Sequence, residues 1–235
     1  MSIKVVLFDL DGTLLPMDQD TFIKAYLGGM AKKLAHHGYN PDELVKAVYT
    51  GMKAMTCNDG SCTNEEAFWQ AFTGLLGEKV RDDMPIFDDF YRNEFQEVKN
   101  ICGFLPEAAQ TVRKLKKMGY RVVLATTPMF PSIATESRIC WAGLEPEDFE
   151  IFTTYENYHF CKPNLNYYKE LIEKLGVSAE ECLMVGNDVG EDMVTEELGM
   201  KVFLMPADLI NKVGKDIHEY PQGDFEDLMK YVESI

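Results

Sequence analysis

The sequence lacks any long hydrophobic run. Near the N-terminus the longest apolar stretch is Val5 to Phe8, and two acidic residues, Asp9 and Asp11, follow it at once. A membrane-spanning helix needs about 20 apolar residues, and a signal peptide has a longer apolar region than this one. Low-complexity segments and internal repeats are also missing. We therefore expect a soluble, cytoplasmic globular protein with no membrane partner.

Cysteine is too sparse for a fold held together by disulfides or zinc. Six cysteines are spread over 235 residues, and only Cys57 and Cys62 lie close together. A disulfide scaffold is shorter and richer in Cys, and structural zinc needs about four Cys or His ligands at matching spacing. Reduced cysteines are the simpler interpretation. A hydrophobic content of 46% is enough to form a core without such crosslinks.

Basic residues are scarce as well. The chain has 23 Lys and Arg against 39 Asp and Glu, which gives a formal net charge of −16. Nucleic-acid-binding proteins usually present a basic face, so the composition predicts no nucleic-acid partner. An acidic protein that handles phosphate must overcome its own field locally, and a bound cation together with a lysine can do so.

What the sequence does contain is an alternation of short apolar strands and amphipathic helices. Helices are predicted over residues 106–118, 164–175 and 190–198. Buried strands are predicted at Ile3 to Phe8, Arg121 to Ala125, Cys182 to Val185 and Lys201 to Leu204, with a weaker fifth at Ile151 to Thr154. This alternation is typical of an α/β fold with a doubly wound, mainly parallel sheet. Its ligand site is expected beyond the carboxyl ends of the strands.

Residues 18–98 do not fit this alternation. Four helices are predicted there, at Gln19 to His36, Pro41 to Met55, Thr63 to Leu76 and Asp82 to Val98. Their aromatic and methionine stripes at helical spacing indicate a helical core rather than a cofactor site. The sequence therefore predicts an α/β unit of residues 1–17 plus 99–235 and a small all-helical unit of residues 18–98. The loop from Thr56 to Thr63 is predicted to face the ligand site.

Two acidic residues follow the first predicted strand, in the run Asp9-Leu10-Asp11-Gly12-Thr13. In this position one carboxylate can attack phosphorus while the other moves a proton. Gly12 permits a turn, and the hydroxyl of Thr13 can hold it. The alternative interpretation is an Asp-Gly turn that only ends a strand.

Three further motifs complete the pattern. A hydroxyl at Thr126 can donate to a phosphate oxygen, and Lys162 can neutralise a phosphate oxygen and keep Asp9 ionised. The run from Gly186 to Asp192 carries amide and carboxylate oxygens, which suit Mg²⁺. Each of these signals is weak or ambiguous alone, and it is their order along the chain, each at a strand end, that indicates a site.

Together the four motifs resemble those of the haloacid dehalogenase superfamily, over nearly the whole chain. The Asp-Leu-Asp-Gly-Thr run is highly specific, and the long interval between Asp9 and Thr126 looks like the branch with a helical cap inserted there. The resemblance implies a Rossmann-like core with an all-helical cap. It also implies a Mg²⁺-dependent phosphatase that hydrolyses a small-molecule phosphate ester through an aspartyl-phosphate intermediate.

The resemblance assigns roles to individual residues. Asp9 would be the nucleophile, Asp11 the general acid and base, and Thr126 and Lys162 would hold the transferring phosphoryl group. The implied Mg²⁺ ligands are the Asp9 side chain, the Asp11 main-chain carbonyl and an acidic residue from the last motif. The remaining substrate-binding candidates are Gly12, Thr13 and Thr127.

The chain departs from the family pattern in two places. Relatives often have Gly-Asp where this chain has Gly186-Asn187, so the last metal ligand is either Asp188, which we favour, or the amide oxygen of Asn187. Asp192 is then expected behind the ligands, where it orients them. Relatives frequently have Thr-Asn at the second motif, and this chain has Thr126-Thr127, so the hydrogen bonds of that Asn are absent or replaced.

Rival functions share these residues. A sugar phosphomutase of the same superfamily would keep every core residue and differ in the cap. A non-catalytic phospholigand-binding protein is compatible with the fold, although the intact Asp9, Asp11 and Lys162 argue against it. A carbon–halogen dehalogenase is disfavoured, because those relatives lack the second acid that Asp11 provides. A monomer is favoured over an oligomer.

Overall fold

The computed structural model describes residues 2–235, and its centre is a four-stranded parallel sheet. The strands are β1 Val5–Phe8, β2 Arg121–Leu124, β3 Cys182–Gly186 and β4 Lys201–Leu204, in the spatial order β2-β1-β3-β4. The register pairs Phe8 with Leu124 on one side and with Val185 on the other. The first three strands therefore end side by side, and the four main predicted strands are confirmed.

The fifth predicted strand, at Ile151 to Thr154, is reduced to one bridge between Phe152 and Leu124. The backbone follows β2 only briefly: Leu124 N–H donates to the Ile151 carbonyl at 2.9 Å, and Thr153 N–H donates to the Leu124 carbonyl at 3.2 Å. The Thr153 hydroxyl then donates to the Thr126 carbonyl at 2.5 Å. Here a side chain takes over the pairing that a longer strand would make with its backbone.

The described residues also form eight α-helices. They are α1 Gln19–Ala35, α2 Pro41–Thr56, α3 Asn64–Leu76, α4 Met84–Arg92, α5 Pro106–Lys117, α6 Ser132–Trp141, α7 Leu165–Leu175 and α8 Phe225–Ser234. Alternate strand residues point to opposite faces, so Val6 and Phe8 pack with α5, α6 and α8, whereas Val5 and Leu7 pack with α7. Both faces of the sheet are buried, as a doubly wound fold requires.

The helical segment (residues 18–98) holds α1 to α4, and local sequence explains where these helices begin and end. Asp18 caps α1 by accepting from the Thr21 N–H at 2.8 Å, and Thr63 with Glu66 forms a capping box on α3. The predicted helix over 82–98 is split, because Asn93 has a non-helical backbone and its side chain donates to the Asp89 carbonyl at 3.0 Å. A 3₁₀ helix, Glu94–Ile101, follows the break.

Elsewhere the sequence predicted the helices incompletely. The helix expected over 190–198 is a short 3₁₀ helix, Met193–Leu198. Helices α6 and α8 were not predicted. The start of α6 is obscured by Pro128 and Pro131, and its buried face includes Arg138, a residue type that normally marks a solvent face.

The helical segment packs directly on the α/β unit. The rings of Tyr26 and Phe130 lie 5.3 Å apart, and those of Phe95 and Trp141 lie 5.0 Å apart. These contacts belong to one apolar cluster that continues into the sheet. None of the helices formed by residues 2–235 has the length and apolar character needed to cross a membrane.

Candidate active site

The candidate site lies where the strand order changes direction. Strand β1 pairs with β2 on one side and with β3 on the other, so the chain moves to opposite sides of β1 and opens a crevice at its carboxyl end. Asp9 directly follows β1, and its N–H donates to the Val185 carbonyl at 2.9 Å. Thr126 and Asn187 follow β2 and β3. The register therefore brings residues that are far apart in sequence to one edge of the sheet.

Lys162 is buried at the base of this crevice between two carboxylates. Its Nζ lies 2.8 Å from Asp9 Oδ1 and 2.6 Å from Asp192 Oδ1. Burial opposes the charge on Lys162, but the carboxylates of Asp192 and Asp9 outweigh it and raise the pKa of Lys162 well above its ordinary value. The ammonium group therefore stays protonated and fixes one oxygen of Asp9. Asp192 contacts Asp9 only through Lys162, and its role as an orienting residue stays a prediction.

Asp11 is held by a cation that the sequence analysis did not identify. Its Oδ2 accepts from Nη1 of Arg138, which projects from α6 and is 1% exposed. The Arg138 guanidinium also lies 4.3 Å from the centre of the Phe130 ring. The other oxygen, Asp11 Oδ1, is buried and has no hydrogen-bond partner among residues 2–235. Burial raises the pKa of Asp11, and the charge of Arg138 opposes that rise.

Gly12 and Thr13 shape the site from behind. Gly12 has φ +86°, and a Cβ there would lie 2.3 Å from Asn187 Nδ2, so glycine suits both the turn and the close approach. The Thr13 hydroxyl donates to Asn187 Oδ1 at 3.1 Å and lies 3.5 Å from Asp9 Oδ2. Asn187 Nδ2 donates to the Asp208 carbonyl at 2.6 Å. Both ends of the Asn187 amide are therefore engaged by the protein.

Asp188 and Glu191 form the side of the crevice beyond β3. Asp188 Oδ1 accepts from the N–H groups of Gly190 at 2.7 Å and Glu191 at 3.0 Å, which orients its side chain. Glu191 Oε2 accepts from the Thr127 hydroxyl at 2.9 Å. Burial raises the pKa of Glu191, and the charge of Lys162 opposes that rise. Thr127 thus bonds to the motif after β3, in the place where relatives frequently have Asn.

Arg138 and Glu191 are the two site residues that sequence reasoning missed. Glu191 lies within the quoted run from Gly186 to Asp192, so its position was available but no role was given to it. Arg138 lies in α6, away from any strand end. The signal that could have found it is a lone Arg on the apolar side of that helix, between Ala134 and Ala142.

These residues open onto a cavity of about 250 Å³. Its inner wall consists of Asp9, Asp11, Thr126, Thr127, Asn187, Asp188, Glu191 and Asp192. Its outer wall comes from Met17, from the helical segment (Gln19, Phe22, Ile23 and Met52) and from the chain after β2 (Met129 and Phe130). The cavity thus joins an acidic floor to a mainly apolar roof.

The loop from Thr56 to Thr63 does not line this cavity, contrary to the prediction. Asn58 Nδ2 donates within the loop, to the Cys62 carbonyl at 2.9 Å and to Asn64 Oδ1 at 3.0 Å. Asn64 then donates to the carbonyls of Pro128 at 3.2 Å and Phe160 at 3.3 Å. The polar side chains of the loop therefore bond within the loop and to the start of α3, and Asn64, the first residue of α3, joins the helical segment to the α/β unit.

The donor set at the floor of the cavity fits Mg²⁺. This ion takes one or two carboxylates and fills its remaining positions with water and substrate phosphate. No group of three His, Cys, Asp or Glu side chains that could hold a metal ion occurs in the described part of the chain, and Asp9 and Asp188 both line the cavity. The Asn187 oxygen already accepts the Thr13 hydroxyl, so Asp188 has the freer oxygen.

Comparisons with known proteins agree with the fold. A curated relative, the pyrophosphatase PpaX of Bacillus cereus, is 25% identical over 201 residues, covering 86% of this chain and 82% of its own. A solved 2-haloacid dehalogenase from Pseudomonas syringae pv. tomato has a TM-score of 0.64 at 18% identity and covers 99% of this chain and 98% of its own. The magnesium-bound HAD-hydrolase YfnB of Bacillus subtilis has a TM-score of 0.59 at 21% identity, covering 99% and 100%.

Identities this low to solved structures establish only a shared fold, so the chemistry has to be argued from the residues of the site. A family model described as haloacid dehalogenase-like hydrolase matches residues 3–194, and that span includes every motif described above. The chain belongs to the haloacid dehalogenase-like hydrolases.

Proposed function

We propose that this hydrolase is a Mg²⁺-dependent phosphatase acting on a small-molecule phosphomonoester through an aspartyl-phosphate. The observation that carries the proposal is the arrangement of Asp9, Asp11 and Lys162: a carboxylate fixed by a buried ammonium group, beside a second acid, on the floor of a cavity. We further propose that the helical segment acts as a cap over residues 1–17 and 99–235.

In the first half-reaction a carboxylate oxygen of Asp9 bonds to phosphorus, and the bond from phosphorus to the leaving-group oxygen breaks. The leaving oxygen takes a proton from Asp11. The Asp11 Oδ1 atom, which has no other partner within residues 2–235, is the oxygen we assign to this transfer. Arg138 holds the opposite oxygen and thereby keeps the carboxyl group pointing toward the cavity.

In the second half-reaction a water molecule attacks phosphorus, and Asp11 accepts its proton. The Asp9–phosphorus bond breaks, so that phosphate and the original carboxylate are restored. Throughout, Lys162 balances the charge on Asp9, and Asp192 holds Lys162 in place. Thr126 lines the cavity beside Asp9, where its hydroxyl is able to donate to a phosphoryl oxygen.

The Asp9 carboxylate, the Asp11 carbonyl and the Asp188 carboxylate are the proposed Mg²⁺ ligands. When bound, the ion neutralises part of the negative charge on the phosphoryl oxygens. Asn187 is the alternative to Asp188.

The test is hydrolysis of para-nitrophenyl phosphate by the unmodified chain and by Asp9→Asn, with and without Mg²⁺. Loss of a covalent nucleophile is expected to lower kcat by about 10³-fold or more while the protein stays folded, as far-UV circular dichroism checks. Asp42→Asn, an exposed change in the first turn of α2, is the matched control and is expected to keep full activity. Retention of a tenth of the activity by Asp9→Asn would overturn the assignment.

Mass spectrometry of the quenched reaction supplies a second readout. A phosphorylated peptide containing Asp9 is expected from the unmodified chain, and none from Asp9→Asn. Saturable binding of inorganic phosphate without turnover of any phosphate ester would instead identify a phospholigand-binding protein.

A further inference from the structure

The outer part of the cavity carries no positive charge. Among the cavity-lining residues, all of which belong to the described chain, none is Lys, Arg or His. The two buried cations nearby are already paired, Lys162 with Asp9 and Asp192, and Arg138 with Asp11. A leaving group with its own carboxylate or phosphate would therefore face acidic side chains and lose its hydration without gaining a partner.

A second, narrower chamber lies behind this outer wall. It has a volume of about 60 Å³ and shares three residues with the main cavity, Met52, Met129 and Phe130. Eight of its fifteen lining residues are aromatic, among them Trp69, Phe72 and Tyr155, and one lining residue, Asp88, is acidic. One water molecule occupies about 30 Å³ of liquid, so the chamber has room for a group of about two or three heavy atoms.

The chamber also contains a polar group without a partner. Trp69 is 6% exposed, and its indole Nε1–H has no hydrogen-bond acceptor within residues 2–235. The Trp69 N–H acts on the Tyr155 hydroxyl. Burial and the charge of Glu65 raise the pKa of Tyr155, and the Trp69 N–H opposes that rise. Tyr155 is thus the neighbour of this donor in the wall of the chamber.

We infer that the substrate is the phosphate ester of an uncharged, mainly apolar alcohol, whose far end enters this aromatic chamber past Met52, Met129 and Phe130. The inference rests on the proposed phosphatase activity and narrows it to a substrate class. Methionine walls suit this use because their side chains adapt to a ligand's shape. Pyrophosphate and phosphate esters of carboxylic acids are excluded as preferred substrates, because they place a second anion where the protein offers no cation.

The experiment compares four phosphates in the unmodified chain with Mg²⁺: phenyl, para-ethylphenyl and para-(carboxymethyl)phenyl phosphate, and pyrophosphate. The three aryl esters have similar leaving groups, so differences in kcat/KM report binding of the para substituent. The ethyl group is expected to raise kcat/KM about 10-fold over phenyl, in line with burial of one or two carbons in a fitted pocket. The carboxymethyl ester and pyrophosphate are expected to fall below phenyl phosphate.

Two variants on α2 locate the effect. Val48 lines the chamber, so Val48→Leu fills part of it and is expected to bring the ratio of para-ethylphenyl to phenyl kcat/KM close to one. Val45→Leu makes the same change on the same helix, outside both cavities, and is expected to keep the ratio of the unmodified chain. If the two variants behave alike, the para substituent does not enter the chamber and the inference is overturned.

Binding without turnover provides an independent test. In a Trp141→Phe background Trp69 is the remaining tryptophan, and para-ethylphenol is expected to change its fluorescence in a saturable manner whereas para-hydroxyphenylacetate does not. Equal kcat/KM for the three aryl esters, or preference for the carboxymethyl ester, overturns the inference and leaves the phosphatase proposal standing. If none of the four phosphates is hydrolysed, the phosphatase proposal is overturned. The fluorescence titration then tests by itself whether an apolar phenol binds in the chamber.

Discussion

Lys162 has the most demanding environment of any single residue in the site. Its side chain is completely buried and bonds to two carboxylates. Removing one partner from a buried ion cluster leaves charge without compensation, so we expect Lys162→Met to lower the free energy of unfolding by about 3–5 kcal/mol. Urea unfolding followed by circular dichroism measures the change.

Lys32→Met, on the exposed side of α1, is the control for the loss of one positive charge and is expected to unfold like the unmodified chain. A Lys162→Met protein of unchanged stability would show that Asp9 and Asp192 do not need the ammonium group in the folded state.

The choice between Asp188 and Asn187 as the metal ligand is tested by single substitutions. Asp188 Oδ1 is oriented by two backbone N–H groups, whereas Asn187 Oδ1 is occupied by the Thr13 hydroxyl. We therefore expect Asp188→Ala to weaken Mg²⁺ binding, measured by calorimetry, more than Asn187→Ala does. The opposite order would move the metal ligand to Asn187.

At the scale of elements, α6 brings Arg138 to the site. Its guanidinium reaches from the buried face of the helix to Asp11 and holds one of the two carboxylate oxygens. Arg138→Met should leave Asp11 poorly placed for proton transfer. Because a nitrophenolate leaves without a proton while an alkoxide needs one, we expect kcat to fall about 10-fold or more further for an alkyl phosphate than for para-nitrophenyl phosphate.

A purely structural role for Arg138 would lower both rates by the same factor, and that result would remove it from the mechanism. Arg138→Lys keeps a cation near Asp11 and is expected to recover part of the alkyl phosphate activity.

The sequence predicted the position of a residue where the local sequence pattern alone determines where that residue lies in the fold. Asp9, Thr126 and Asn187 follow apolar strands, and parallel pairing alone brings strand ends together, so their convergence could be predicted without coordinates. Arg138 could not be predicted in this way, because its burial depends on how α6 packs against the sheet and on an acidic partner far away in sequence.

The loop from Thr56 to Thr63 was wrongly predicted to face the site, whereas Arg138 was missed. Its Asn, Asp and Ser residues have the composition of a ligand-binding turn, but composition does not say which surface a turn meets. The structure turns those groups inward, to the loop itself and to the start of α3. The cavity wall is formed instead by apolar residues such as Phe22 and Met52, which the sequence assigned to the helical core.

At the scale of the whole molecule, the two connections to the helical segment lie against each other. The Gly103 N–H donates to the Pro16 carbonyl at 2.7 Å, and a Cβ on Gly103 would lie 2.8 Å from Pro16 Cβ. Gly103→Ala must therefore push the connections apart. If the segment closes over substrate, we expect kcat and KM to change together, as measured by steady-state kinetics.

Gly74→Ala is the matched control, because a Cβ at this position in α3 meets nothing within 4 Å. It is expected to raise stability by up to about 1 kcal/mol and to leave the kinetics unchanged. Unchanged kinetics in Gly103→Ala as well would argue against a hinge at these connections.

The acidic floor of the cavity has a further consequence in a molecule of net charge −16. The negative field of these carboxylates attracts Mg²⁺ and repels a phosphate dianion. Added salt screens both interactions, so it weakens the attraction of the cation and also the repulsion of the anion. From about 10 mM to 150 mM ionic strength, Mg²⁺ binding should weaken while the association rate of the phosphate ester rises. If Mg²⁺ is the cofactor, we expect an ordered binding sequence in which the cation binds first and its charge then favours binding of the anion.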